Sequence, residues 1–387
     1  MDVTIFTSEG KNIENIRSTI CNQVKKGPTN SGMEKEENVR RTWSCEWAFT
    51  VKIPKVPINC VIVTVFLSTP QGALNVSGAN TVTEFILLSF PCSREVQLLL
   101  FVLFSVSYML TLMGNGAIVV AVRLDHRLHT PMYILLANFS FLEICYINTT
   151  VPNMLHNFLS ETKTISFTAC FLQFYFFFSM GITETFLLPL MAFDRYLAIC
   201  HPLHYPTIMS SRLCMNLVAL CWVAAFLCYP VPIYFITQLP FCGPNTIDHF
   251  VCDPGPILAL SCIPAPGIEL SCSILNSLII FIAFFFILAS YTLVLRAVLR
   301  VPSAAGRRKA FSTCGSHLAV VSLFYGTVML MYISPTSGNA AGIQKIVTLF
   351  YSSVTPLVNP LIYSLRNKDM KAALRKFQMC TKVNQSE

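Results

Sequence analysis

Residues Ile268 to Leu295 read IELSCSILNSLIIFIAFFFILASYTLVL, and Glu269 is the one charged side chain in the run. A helix needs about 20 mostly apolar residues to cross the hydrocarbon core of a bilayer, and this stretch exceeds that. Working outward from it, six more segments meet the same criterion. Gln97 to Val122, Met132 to Met154, Ala169 to Ala198 and Leu213 to Phe235 come before it; Phe311 to Ile333 and Ile343 to Tyr363 come after it. The expected fold is an all-α membrane protein, a seven-transmembrane helix bundle. Glu143 in the second span and Glu184 in the third show that these helices are not uniformly apolar and are expected to face each other there.

Composition agrees. Of 387 residues, 54% are hydrophobic and 12% charged, with a mean hydropathy of +0.59. Soluble domains carry about 25% charged residues, so a soluble enzyme of this length is excluded. Disorder over most of the chain would need low hydrophobicity and high charge. The 16 cysteines are too scattered for a small disulfide scaffold.

The net charge is +8, and its placement matters more than its size. Arg123 and Arg127 follow the first span, Arg195 ends the third and Arg212 precedes the fourth. Arg296, Arg300, Arg307, Arg308 and Lys309 lie between the fifth and sixth. Arg366, Lys368, Lys371, Arg375, Lys376 and Lys382 follow the seventh, whereas the alternate loops hold only Lys163 and Lys345. Basic loops stay in the cytoplasm, so the N-terminus is expected outside and the C-terminus inside.

Residues 1–74 are polar and mixed in charge and are expected to be a disordered extension. Val56 to Leu67 is apolar but short for a span; the alternative is the apolar part of a signal sequence. After the seventh span, Leu365, Met370, Ala373, Leu374 and Phe377 recur at helical spacing among basic residues. That suits a short amphipathic helix on the inner membrane face. The expected organisation is an extension over 1–74, a membrane domain over 75–377 and a cytoplasmic tail over 378–387.

Four motifs narrow the reading. Leu128-His129-Thr130-Pro131-Met132-Tyr133 stands between the first two spans, and Met191-Ala192-Phe193-Asp194-Arg195-Tyr196-Leu197-Ala198-Ile199-Cys200 ends the third. Lys309-Ala310-Phe311-Ser312-Thr313-Cys314-Gly315-Ser316-His317-Leu318 opens the sixth, and Pro356-Leu357-Val358-Asn359-Pro360-Leu361-Ile362-Tyr363 closes the seventh. The combination resembles the odorant receptors of vertebrates, of the tetrapod-type class within the rhodopsin-like G-protein-coupled receptors. The resemblance covers about Asn75 to Lys376. Phe193, Leu197 and Gly315 depart from the usual pattern, and none of the three removes a charged or cysteine position.

Arg195 at the membrane edge stays charged and needs partners. It is either a snorkelling helix-end arginine or, as the resemblance implies, one half of a latch with Asp194 that opens on activation. By resemblance Tyr196, Tyr291 and Tyr363 are further switch residues. Lys309 to Ser316 and the loop around His201 to Pro206 would frame the cleft for a G protein.

Intramembrane carboxylates are costly alone and call for a functional partner. Glu184 lies eleven residues before Arg195, about three turns, hence on the same helix face. The resemblance groups Glu143, Glu184, Asn115 and Asn359 around one polar core. Two close carboxylates either share a proton or hold a cation; a sodium-type site is the expectation and a protonated pair the alternative. No catalytic set accompanies them, so no enzyme activity is expected.

Cys170, Cys242, Cys252 and Cys262 fall on the oxidising side, and four cysteines allow three connectivities. The resemblance implies Cys170 with Cys252 and Cys242 with Cys262. A soft-metal site from His249, Cys252 and Asp253 is the rival. Asn75-Val76-Ser77 is a glycosylation sequon before the first span. The sequons at Asn138 and Asn148 lie within the second span, out of reach, and the one at Asn384 is cytoplasmic.

By family position the outer ligand pocket takes Phe177, Phe178, Gly181 and Ile182 from the third span and Leu275, Asn276 and Ile279 from the fifth. The sixth supplies Tyr325, Val328, Met329 and Tyr332. Plain packing or lipid-facing roles are the alternative for each. Apart from Glu269 at the rim, no acid or base in these outer halves could bind an amine or a carboxylate. An apolar pocket with few polar handles suits a small neutral volatile ligand. The implied partners are that ligand, a heterotrimeric G protein of the stimulatory, olfactory type feeding cyclic AMP, and membrane lipid, with no nucleic acid. The expected location is the plasma membrane, crossed several times. The alternatives are a receptor for a lipid or metabolite outside the nose, or a transporter, although no paired internal repeat is visible.

Overall fold

A computed structural model describes residues 82–88, 92–242, 244–333, 340–366 and 369–375. Residues 1–74, the sequon at Asn75 and the tail 378–387 lie outside the described residues. The chain is mostly helical. Helix α1 is Arg94–Leu124, α2 Pro131–Leu159, α3 Phe167–Cys200 and α4 Ser211–Cys228, continued by a short helix Pro230–Thr237. Helix α5 is Pro266–Leu299, α6 Ala304–Ile333, α7 Ala340–Leu349 and α8 Thr355–Arg366, with a π turn Phe350–Val354 between the last two.

Among the described residues, five helices are long and apolar enough to cross a membrane: α1, α2, α3, Ser211–Thr237 and α5. The expected sixth and seventh spans are helical too, and among the described residues the sixth contains the apolar helix Cys314–Leu330. The expected seventh span is divided by the π turn.

Local signals set the helix ends. Pro131 opens α2 at its first turn, where a missing N–H costs nothing. Ser166 Oγ accepts from Ala169 N–H at the start of α3, and Ser210 Oγ from Leu213 N–H at the start of α4. Such caps are worth about 1 kcal/mol each. Pro230 breaks α4 from its continuation at Tyr229, whereas Pro189 and Pro152 sit inside unbroken helices.

The α7–α8 region shows how prolines are accommodated. Pro360 has no N–H to give to the carbonyl four residues back, that of Pro356. Asn115 Nδ2 donates to that carbonyl instead, at 3.1 Å. The neighbouring Gly114 lets α1 come close, since a Cβ there would lie 3.2 Å from Pro360 Cγ.

The structure adds a small sheet to the expected all-α fold. Glu84–Leu87 (β1) pairs antiparallel with Thr164–Ser166 (β2) and parallel with Thr246–Ile247 (β3). Phe85 and Leu87 alternate inward and are fully buried. The segment before α1 is thereby joined to both loops at this end. The largest buried cluster runs through α2, α3, α5 and α6, and α1 turns Leu99, Val102, Leu103, Val106, Met109 and Met113 outward, each more than half exposed. An unbroken apolar outer surface of this kind belongs in lipid.

Residues 369–375 are helical, as the spacing of the tail suggests. The apolar stripe, however, is used against the protein. Met370 and Ala373 are buried in the main core and Leu374 packs on it, while Tyr133 of α2 donates to Asp369 at 3.3 Å.

Candidate functional site

Three groups of residues carry chemistry, one at each end of the helices and one between. At the end rich in arginine, Asp194 and Arg195 close α3 and form an ion pair with both side chains buried. Tyr205, on the short helix Tyr205–Ile208 after α3, donates to Asp194 Oδ1 at 2.7 Å. Burial, helped by the Asp194 carboxylate, pushes the Tyr205 phenol well above its ordinary value, so it remains a donor. A buried pair of this kind holds only while its remaining hydrogen-bonding capacity is met, and Tyr205 does that for the carboxylate. Sequence reading placed Tyr205 in the framing loop without giving it this role; eleven residues of separation hide the contact.

The other switch residues gather around the same end. Tyr196 hydroxyl meets His201 Nε2 at 3.0 Å, Tyr291 hydroxyl of α5 meets His317 Nδ1 of α6 at 2.6 Å, and Ser316 Oγ donates to the Ile362 carbonyl of α8 at 3.2 Å. Cys314, Val294 and Val298 pack beside Tyr196 and Tyr291. Each contact joins two different helices or a helix and a loop, so all report on relative helix position. Lys309 and Tyr363 lie in α6 and α8, but their side chains fall outside the described residues.

Midway along the helices, the residues expected around one polar core are all buried. Asn359 donates to Glu143, and Tyr351 donates to Glu184 at 3.3 Å. Asn115 is held by the Thr111 and Pro356 carbonyls. Asn115 Oδ1, Glu184 Oε1 and Asn359 Oδ1 are buried oxygens with no partner among the described residues. Tyr351 was missed by sequence reading. It projects from the π turn and lies against Tyr146 and Phe177, with ring centroids 5.4 and 6.5 Å away.

At the end with the sheet, disulfides join Cys170 to Cys252 and Cys242 to Cys262, with Cα separations of 5.5 and 5.0 Å. The metal alternative at His249, Cys252 and Asp253 loses its thiolate to the first bond. Gln173 of α3 fixes the loop further, accepting from Cys252 N–H and donating to the Thr149 carbonyl of α2. Asp253 caps the short helix Pro254–Leu258, and burial pushes its carboxyl up to about 6 against the pull of the Gly255 N–H bond. His249 is buried, and burial with the nearby Lys345 ammonium lowers it to about 4. Its Nδ1 accepts from Val251 N–H, so the neutral ring carries its proton on Nε2. Lys345 of α7 pairs with Asp248 of the loop at 2.5 Å.

Of the residues expected to line one ligand pocket, the described ones fall at several places in the packing. Phe177 and Phe178 meet edge to face within an aromatic cluster, and a Cβ on Gly181 would meet Tyr351 hydroxyl at 3.1 Å. Ile182 is buried in the core beneath the sheet, where Ile279 packs on it. Leu275 is half-buried on α5. Asn276 accepts from Tyr229 hydroxyl at 2.5 Å, a partner that sequence reading did not find. Val328 is buried in the main core. Tyr325 and Met329 line a 310 Å³ cleft between α5 and α6, and Ile279 lines a 390 Å³ cleft between α3, α4 and α5. The side chain of Tyr332 lies outside the described residues. The α3 rings at this level pack toward other helices: Phe177 meets Tyr146 of α2 and Tyr351 of the π turn, and Phe178 meets Tyr229 at the end of α4.

Comparison with known proteins fixes the family. Residues 104–382 match the family described as olfactory receptor. The chain is 66% identical to human olfactory receptor 11H6 over 319 residues, 82% of this chain and 96% of that one. It is 69% identical to human olfactory receptor 11G2 over 301 residues, 78% and 87% of the two. With human olfactory receptor 11H4 the identity is 62% over 313 residues, 81% and 97%. The chain belongs to the olfactory receptor family, whose members are multi-pass G-protein-coupled receptors of the plasma membrane and not enzymes.

Proposed function

We propose that this receptor binds small, mostly neutral volatile molecules between the outer halves of α3, α5 and α6 and activates a stimulatory, olfactory-type G protein that raises cyclic AMP. Seven helices then cross the membrane, with the N-terminus and the two disulfides outside and the arginine-rich end in the cytoplasm. Residues 75–377 make up the receptor domain, preceded by an extension that ends near a glycosylated Asn75 and followed by a short cytoplasmic tail.

The observation that carries this reading is the buried Asp194–Arg195 pair with Tyr205 on its open side. It couples the end of α3 to the adjacent loop through bonds that can exchange. A ligand acts by binding the active packing better than the resting one. Freed from Asp194, Arg195 turns toward α5 or the G protein as α5 and α6 move outward. The ligand class is supported by the expected lining residues, none of which is charged. Asn276, oriented by Tyr229, is the polar handle for a single hydrogen bond.

The donor set in the core fits a monovalent cation. Two buried carboxylates, and buried oxygens of Asn115, Glu184 and Asn359 with no partner among the described residues, support that reading. A sodium ion would be held by Glu143, Glu184, Asn115 and Asn359, neutralise the carboxylates and stabilise the resting packing.

The test is cyclic AMP in cells expressing the chain with an olfactory-type G protein, across a panel of neutral volatiles, with surface staining. A response that Arg195→Ala abolishes at equal surface level is expected. A response equal in the variant would overturn the role given to the pair.

A further inference from the structure

Buried polar groups in native proteins find partners in protein or in ordered water. Along α2, the side chains of Glu143, Tyr146, Thr150, Asn153 and Asn157 follow one another three or four residues apart, hence on one face. Along α7 and α8 the same holds for Lys345, Thr348, Ser352, Thr355 and Asn359, all buried. Thr150 Oγ1, Asn153 Nδ2, both amide atoms of Asn157, Thr348 Oγ1 and the Ser353 hydroxyl have no partner among the described residues.

The two stripes face each other at three levels. At the base, Asn359 bonds to Glu143, and the Tyr146 and Tyr351 rings meet at 5.4 Å. In the middle, Leu349 of α7 packs into the cluster of Ile147 and Val151 from α2, beside Thr348 and Thr150. At the outer end, Phe250 and Val251 of the long loop join that cluster, and the adjacent Asp248 pairs with Lys345. His249 lies next to this pair, buried and stacked on Phe250, with Nε2 unpartnered among the described residues. Past Lys345, no Lys or Arg occurs on either helix before Glu143 and Asn359.

We infer that α2 and the α7–α8 region enclose a hydrated seam that gives water and small cations a route from the extracellular face to the core carboxylates, with Lys345 and Asp248 as its gate. Amides and hydroxyls supply both donors and acceptors, as a file of waters requires. The Lys345 ammonium, 8% exposed, blocks the mouth, and Asp248, 59% exposed, holds it there. None of the residues expected to bind the odorant lies on α2, α7 or α8, so the seam is a separate route. Only its endpoint rests on the cation reading of Glu143 and Glu184; the hydration does not.

The test is hydroxyl-radical footprinting of the full chain in lipid nanodiscs, in choline chloride without sodium. Failure of sodium to bind would therefore leave the result untouched. Radicals formed from internal water oxidise the side chains beside it. Tyr146, Tyr351 and His249 should be oxidised severalfold faster than Phe85, Phe139 and Phe174, which are buried elsewhere. Equal, slow oxidation of both sets would overturn the seam. Pulsed mixing with oxygen-18 water then reads exchange with bulk. Lys345→Met should speed label uptake at His249 and Tyr351, and unchanged uptake in that variant would overturn the gate.

Discussion

The two ends of this receptor are held together by different kinds of bond. At the end with the sheet, two disulfides, a three-stranded sheet and the Gln173 bridge tie the segment before α1 and the long loop to the helices. At the arginine-rich end the described links are non-covalent: the buried Asp194–Arg195 pair, a phenol on its carboxylate and phenols on imidazoles. Breaking a disulfide needs chemistry, whereas hydrogen bonds exchange at a net cost of about 1 kcal/mol each. On the proposed reading, the end with the sheet is the fixed frame and the arginine-rich end is where movement between two packings is expected.

The sharpest way to break this contrast is to cut the frame. Cys252→Ser opens a crosslink spanning 82 residues, and loss of a native disulfide costs about 2–5 kcal/mol. Surface staining should fall to background. Cys242→Ser opens a link of 20 residues and should cost about 1 kcal/mol less by loop length, leaving measurable surface protein. Equal loss in both variants would contradict the ranking.

Gly114→Val tests the joint between the two regions. A Cβ already comes within 3.2 Å of Pro360 Cγ, and such overpacking costs about 1–3 kcal/mol. The purified variant should melt at lower temperature than wild type, and an unchanged melt would show that α1 can move away freely.

Acid sharpens the contrast because the frame carries opposed titrations. His249 sits at about 4 when folded, below its ordinary 6.5. Between those values the unfolded chain binds more protons, so stability is lost as pH falls. Asp253 sits at about 6, above its ordinary 3.8, and acts in the opposite direction over that window. His249→Asn keeps an acceptor for Val251 N–H and removes one titration. Its melting temperature should rise from pH 7 to pH 5, and a profile parallel to wild type would contradict the assignment.

The smallest expected effect lies at the latch itself. Tyr205→Phe removes one hydrogen bond to a buried carboxylate, worth about 1.5–3 kcal/mol when the acceptor is charged. Half or more of that is offset if water replaces the phenol. The variant should fold and reach the surface normally while raising ligand-independent signalling modestly, read as cyclic AMP per surface receptor.

Much of this was legible in the residues. Long apolar runs announce membrane helices because burial in lipid requires them, and the span limits fall within a few residues of the helices found, or about two turns at the start of α6. Adjacent Asp194 and Arg195 are a local signal, and their pairing needs no tertiary knowledge. Contacts made at a distance were hidden. Tyr205 with Asp194, Tyr229 with Asn276, and Lys345 with Asp248 depend on how loops return. The strands of the sheet have four, three and two residues, too few to show alternation. Side-chain packing such as that among Phe174, Phe177 and Phe178 is likewise not written in the order of residues.

The central claim is that the Asp194–Arg195 pair holds the resting state. Nucleotide exchange on purified olfactory-type G protein tests it directly, with receptor in nanodiscs and no ligand. Asp194→Asn keeps an acceptor for Tyr205 but removes the charge that holds Arg195. The account predicts exchange severalfold above wild type at equal receptor content, and exchange at or below the wild-type rate would contradict it.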